Sequence, residues 1–224
     1  MIHRPFPVPG ACRSRDFPTR SPGSGTEWYT GLMRVFTALW PSEAAVRDLS
    51  EVLDEQRAAW SALSGELRGF RFVSAGQWHL TLCFHGDGAD PDEVAEKLRT
   101  GVAALRENDS EFTVPELRLA GAGTFRGVLW TGVVPGGEPE TRDRRDRLLR
   151  ALARTAGADP RRFRPHVTVA RWARGTLDPS RIPHRLTEYT GPVWSAGELA
   201  VVASERGRGG VRYRTVHRIP LLPS

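Results

Sequence analysis

Cysteine is nearly missing from this chain, with only Cys12 and Cys83 among 224 residues. Two cysteines cannot build a disulfide framework and form no CxxC pair, which excludes a thiolate metal centre and fits a reducing compartment. Lysine is scarcer still. Of the 32 basic residues 31 are arginine, and Lys97 is the one exception. No apolar run approaches the roughly 18 residues of a membrane span; the longest, such as Leu199 to Ala203, are strand-sized. The N-terminal stretch has basic residues but no continuous apolar segment, so it does not read as a secretory signal. These absences point to a cytoplasmic protein with no membrane partner. What is present is enough for a sizeable core, at 39% apolar and 26% charged. The net charge of +6 is compatible with a phosphate-bearing partner without establishing one.

Residues 1–32 differ from everything after them. They hold five prolines and four glycines and show neither helical nor strand periodicity. Such a segment cannot offset its ordering entropy by burial, so it reads as a disordered tail. From Met33 onward strands and helices alternate, and residues 33–224 read as one domain. Met33–Leu39 is a first strand. Ser42 caps a helix whose apolar residues Val46, Leu49, Val52, Leu53, Trp60 and Leu63 recur at helical spacing. Strands follow at Phe70–Val73 and Trp78–Phe84. Asp90-Pro91-Asp92-Glu93 is a strong helix start, with a capping Asp and Pro at the first helical position. Phe112–Leu119 reads as a strand that Pro115 confines to an edge, and a Gly-rich segment, residues 120–127, comes next.

After that segment the order begins again. Val128–Val134 is a strand, Pro139–Ala156 a helix, and His166–Val169 a strand, with further strands at Leu199–Ala203 and Val211–Val216. Both halves carry the same tetrapeptide pattern, His79-Leu80-Thr81-Leu82 and His166-Val167-Thr168-Val169, 87 residues apart. The repeat points to an internal duplication with the two strands related by a pseudo-two-fold axis. Side chains alternate along a strand, so each His shares a face with the Thr two residues on. Two imidazoles suit acid–base chemistry near neutral pH. Two hydroxyls suit donation to a phosphoryl oxygen. No ligand cluster for a metal or cofactor accompanies them. The other histidines, His3, His85, His184 and His217, lack a repeat and read as structural or surface residues.

The paired motifs resemble the 2H phosphoesterase superfamily, and within it the RNA 2′,3′-cyclic phosphodiesterases, also called 2′-5′ RNA ligases. The resemblance runs over nearly all of Met33–Pro220. It includes Arg34–Leu39 with Pro41, Trp78–Phe84 with Gly86, Val128–Gly132, Phe163–Arg171, Leu199–Glu205 and Gly210–Tyr213. It implies a bilobal α+β fold in which two antiparallel sheets flank a central cleft, with helices outside. It also implies metal-independent hydrolysis of a 2′,3′-cyclic phosphodiester to a 2′-phosphomonoester. Two lobes that close their own cleft give no reason to need a partner, so a monomer is expected. The substrate would be an RNA 3′ end or a short nucleotide. By the resemblance His79 is the proton donor and His166 the acceptor, Thr81 and Thr168 bind the phosphate, Arg171 contacts it, and Phe84 stacks on a base. Run in reverse, the same site would join RNA ends. A rival reading is an RNA-end binding protein with little turnover, which would have no need of two imidazoles.

Strict alternation conflicts with two of these roles. It points Arg171 away from His166, so a phosphate contact requires the strand to end or bulge there; otherwise Arg171 is a surface residue. It points Phe84 away from His79, which favours core packing. Cys83 falls by parity on the His79 face, but four strand residues span roughly 13 Å and rule out a Cys–His pair. It reads as a packed thiol. The segment Arg142–Arg147 has interleaved acids and reads as a solvated helix face rather than an RNA contact.

Overall fold

The structure is a computed structural model that describes residues 33–125, 127–173, 175–207 and 210–222. The expected disorder of residues 1–32 lies outside the described residues. The chain opens with strand β1 (Arg34–Leu39), helices α1 (Glu43–Glu55) and α2 (Arg57–Glu66), and strands β2 (Arg71–Phe72) and β3 (Leu80–Asp87). Helix α3 (Pro91–Asn108), strands β4 (Glu116–Phe125) and β5 (Val128–Pro135), helix α4 (Arg142–Thr155) and strand β6 (His166–Arg171) follow. Helix α5 (His184–Thr187), β7 (Trp194–Ser195), β8 (Glu198–Gly207) and β9 (Gly210–Pro220) complete it.

The caps read from sequence hold the helices that follow them. Ser42 accepts from the Ala45 amide at 3.2 Å, and Asp90 accepts from the Asp92 amide at 2.8 Å ahead of Pro91. The long helix expected after Ser42 is broken at Gln56 into α1 and α2, which keep Leu49, Leu53, Trp60 and Leu63 buried. Residues 120–125 of the Gly-rich segment extend β4 beyond the end at Leu119 expected from sequence, because a bulge at Gly121, held at φ +62°, lets the strand resume its pairing with β5. Strand β4 is also not an edge, since the short β7 pairs outside it.

The strand order is β7-β4-β5-β6-β3-β1-β8-β9, antiparallel throughout, with β2 also on β6. One half of the order holds β4 to β7, the other β1, β3, β8 and β9. The halves interleave in sequence and meet where β3 pairs with β6 at the single residue pair Leu80 and Val167. Helices α3 and α4 pack on one face of the sheet, against β8, β9 and β5. Alternation along β1 divides its side chains: Val35 and Leu39 join the large core beneath the helices, while Phe36 and Ala38 pack on the opposite face with Ala200 and Val202. That second face carries the site.

Candidate active site

The pairing of β3 with β6 brings the two tetrapeptides together. Continuing the Leu80–Val167 register by one residue sets His79 opposite Thr168 and Thr81 opposite His166. All four side chains are partly buried on the face away from the helices, while Leu80, Leu82, Val167 and Val169 are buried in the core.

Each imidazole is held in the same way. His79 Nδ1 lies 2.7 Å from the Gln77 carbonyl oxygen, and His166 Nδ1 lies 2.6 Å from that of Arg164. A carbonyl oxygen only accepts, so each Nδ1 carries the proton and each Nε2 is left to exchange one. Aromatic rings fix the planes. Phe36 stacks on His79 at 4.8 Å, with Trp40 and Tyr213 edge-on at 5.5 and 5.1 Å. Phe125 and Trp130 stand edge-on to His166 at 5.2 and 6.3 Å. Burial among these rings disfavours the charged imidazole and pulls His79 down to about 4. The bond to Gln77 opposes that shift, and the charges of Arg171 and His166 add to it. His166 is lowered for the same reasons, burial first, and it too feels Arg171.

Both parity conflicts are resolved by bulges at equivalent places. In β3, Thr37 pairs with Cys83 and Ala38 with Thr81, leaving Leu82 unmatched. In β6, Leu129 pairs with Ala170 and Trp130 with Thr168, leaving Val169 unmatched. Two consecutive residues therefore point into the core in each strand, Leu82 with Cys83 and Val169 with Ala170. The side chains that follow directly change face. Arg171 turns back to the site, its Nη2 reaching the Thr168 hydroxyl at 3.4 Å. Phe84 is not core: it is 42% exposed and 5.6 Å from Phe36, the ring stacked on His79. Cys83 is correspondingly removed from the His79 face and buried in the main core.

His85 belongs to the core side, where its Nε2 is 2.8 Å from the Thr37 hydroxyl, and burial lowers it to about 4. His184 pairs with Glu188 and His217 with Asp92, away from the site. Among the described residues no three His, Cys, Asp or Glu side chains gather to hold a metal. Three arginines of α4 meet acids: Arg144 with Asp109 and Glu111, Arg145 with Glu116, Arg150 with Asp146. No helix among the described residues is long and apolar enough to cross a membrane. Sequence reasoning assigned no role to Phe36, Trp40, Phe125, Trp130 or Tyr213. Four of these five lie within or beside quoted blocks, but nothing in the pattern said that they face histidines.

A family model for the 2′-5′ RNA ligase superfamily matches residues 50–208. The chain belongs to that superfamily. It is similar to an RNA 2′,3′-cyclic phosphodiesterase of Geobacillus stearothermophilus, 30% identical over 178 residues that cover 75% of this chain and 54% of the other. The chain thus spans about half the length of that relative. Solved structures share the fold. TT0787 of Thermus thermophilus has a TM-score of 0.53 at 23% identity, covering 84% of this chain and 97% of its own. LigT of E. coli, complexed with 3′-AMP, has a TM-score of 0.55 at 24% identity, covering 85% and 99%. Within this 2′-5′ RNA ligase superfamily fold, the two bulges and the two Nδ1 anchors are the features that turn a repeated tetrapeptide into one site.

Proposed function

We propose that this chain hydrolyses 2′,3′-cyclic phosphodiesters, at RNA 3′ ends or on short nucleotides, to 2′-phosphomonoesters without a metal. The observation that carries the reading is the matched pair of Nδ1-anchored imidazoles sharing one face with Thr81, Thr168 and Arg171. Water attacks phosphorus as its proton passes to His166 Nε2. The bond from phosphorus to the 3′ oxygen breaks, and that oxygen takes a proton from His79. The hydroxyls of Thr81 and Thr168 and the guanidinium of Arg171 stabilise the charge gathering on the non-bridging oxygens. Phe84 offers its exposed ring to the base. Both halves of the site come from one chain, so a monomer suffices.

For His79 to donate, the bound phosphate has to lift its pKa from the low value that burial imposes, which an adjacent anion does. With a 5′-hydroxyl in place of water the reverse displacement joins two RNA ends, a use of the site supported by the superfamily to which the chain belongs. The test is product analysis with a 2′,3′-cyclic nucleotide, with and without EDTA. The expected product is the 2′-phosphate at a rate that EDTA leaves unchanged. A 3′-phosphate, loss of activity on chelation, or binding without turnover overturns the proposal.

A further inference from the structure

Arg71 has no role in the reaction described above, yet the fold sets it beside the site. It lies in β2 directly opposite Arg171 of β6. The next link of the same ladder is a Val73 amide bonded to the Val169 carbonyl at 2.8 Å. Residues directly opposite in an antiparallel pair leave the sheet on the same face, and like charges in that position repel. Arg171 is on the site face, with its head at the Thr168 hydroxyl. Arg71 therefore stands next to it on that face, and both are exposed.

Among the described residues neither guanidinium is paired with a carboxylate. Elsewhere in the fold, arginines that join separate elements meet one: Arg34 meets Asp87, Arg145 meets Glu116, Arg181 meets Glu66 and Arg218 meets Glu198. The sheet thus holds two unneutralised cations side by side, at the end of the strand that carries His166 and Thr168. An anion between them converts their repulsion into attraction, and guanidinium forks match phosphate oxygens in pairs.

The position says which phosphate. Arg171 reaches back toward Thr168, whose Cα lies roughly 10 Å away along the strand, and so serves the reacting group. Arg71 is rooted level with Arg171, displaced along the strand from the two threonines. It suits a second anion on the same substrate, one step removed from the first. We infer that Arg71 together with Arg171 forms a second phosphate site, which takes the phosphate neighbouring the reacting one in a nucleotide or an RNA end. The inference rests on the phosphodiesterase reading for the identity of the first phosphate and deepens it by naming multiply phosphorylated substrates as the preferred class.

The test is calorimetric binding of two products that differ by one phosphate, a nucleoside 2′-monophosphate and the nucleoside 2′,5′-bisphosphate. Wild type is expected to bind the bisphosphate about tenfold more tightly. In Arg71→Ala that ratio falls to within about threefold of unity, and Arg71→Lys, which keeps the charge without the fork, is intermediate. Arg99→Ala, on the exposed face of α3, keeps the wild-type ratio. The melting temperature of Arg71→Ala is expected to be no lower than that of wild type, because the variant removes a repulsion; if it fails to fold, Arg71→Lys decides the matter. A wild-type ratio near unity, or an undiminished ratio in the folded variant, overturns the inference. Because the readout is a ratio of affinities, a wild type that binds with the expected preference yet never turns over defeats the hydrolase reading and leaves the second phosphate site standing.

Discussion

The imidazole of His79 is surrounded by three aromatic rings, and that enclosure has a consequence for both activity and stability. Burial holds its pKa at about 4, and His166 is lowered as well. The profile of kcat/KM, which reports the free enzyme, is therefore expected to peak below pH 6.5, with the two limbs belonging to the coupled pair. The profile of kcat is expected to shift to higher pH, since a bound phosphate favours the charged imidazole. An optimum of kcat/KM above pH 7 would contradict the burial argument. Stability follows the same sign. His79 and His85 are both near 4 when folded but near 6.5 when unfolded, so between those values the unfolded chain binds more protons. Stability contributed above pH 6.5 is lost as the pH falls toward 4. Each pKa unit corresponds to about 1.4 kcal/mol, so the two residues together account for a loss on the order of a few kcal/mol. Melting temperature measured from pH 7 to 4.5 is expected to drop, and His85→Gln to flatten the slope. The threonines make a separate prediction. Thr81→Val and Thr168→Val should keep the melting temperature and lower kcat roughly 10²–10³-fold, the usual result of removing one donor to a developing oxyanion; wild-type rates would reduce both to strand formers.

Strands explain what the sequence could and could not say. The pairing of His with Thr was readable because a strand has period two, and the duplication made the signal visible twice. The faces of Phe84, Arg171 and Cys83 were not readable, because the bulges at Leu82 and Val169 carry no glycine, proline or change of polarity. Runs such as Leu82-Cys83 and Val169-Ala170 look like any buried strand. The Gly-rich stretch gave no sign that it is strand. Its glycines permit close approach within a strand: a Cβ on Gly123 would lie 2.3 Å from the Trp130 ring, which crosses it on the way to Phe125 and His166. Gly123→Ala is therefore expected to push Trp130 off His166 and to lower kcat, with a change in tryptophan emission and at most a few degrees lost in melting temperature. Full activity with an unchanged emission spectrum would show that Trp130 does not orient the imidazole. Arg71 escaped notice for a related reason: nothing local to Gly69–Val73 says which residue of a distant strand will lie opposite.

At the scale of the molecule, the core beneath the helices runs, among the described residues, from Met33 to Leu221, and residues 1–32 carry no apolar periodicity to extend it. A chain beginning at Met33 is expected to fold with the same melting temperature and to keep full turnover. A large loss of either would give residues 1–32 a share in the fold. The two halves of the sheet are joined by one residue pair, Leu80 with Val167, and the distance between the two imidazoles depends on that pair. Both residues are fully buried, so Leu80→Ala or Val167→Ala costs packing, by roughly 2–5 kcal/mol for the larger deletion. Turnover in such variants, assayed well below their melting temperatures, is expected to fall further than that of an equally destabilised variant at Leu98 of α3. Equal losses would mean that the junction has no special part in positioning the histidines.

The interleaving of the halves also sets an order of assembly during synthesis. Strands β4, β5, β6 and β7 all emerge between residues 116 and 195, so the half that carries His166 can pair its own strands while translation is still under way. The half that carries His79 cannot. Strand β1 must wait for β8, and Tyr213, whose edge closes on the His79 ring, arrives only with β9. A nascent chain therefore completes one imidazole's surroundings well before the other's, and both imidazoles are enclosed only once β9 has been made.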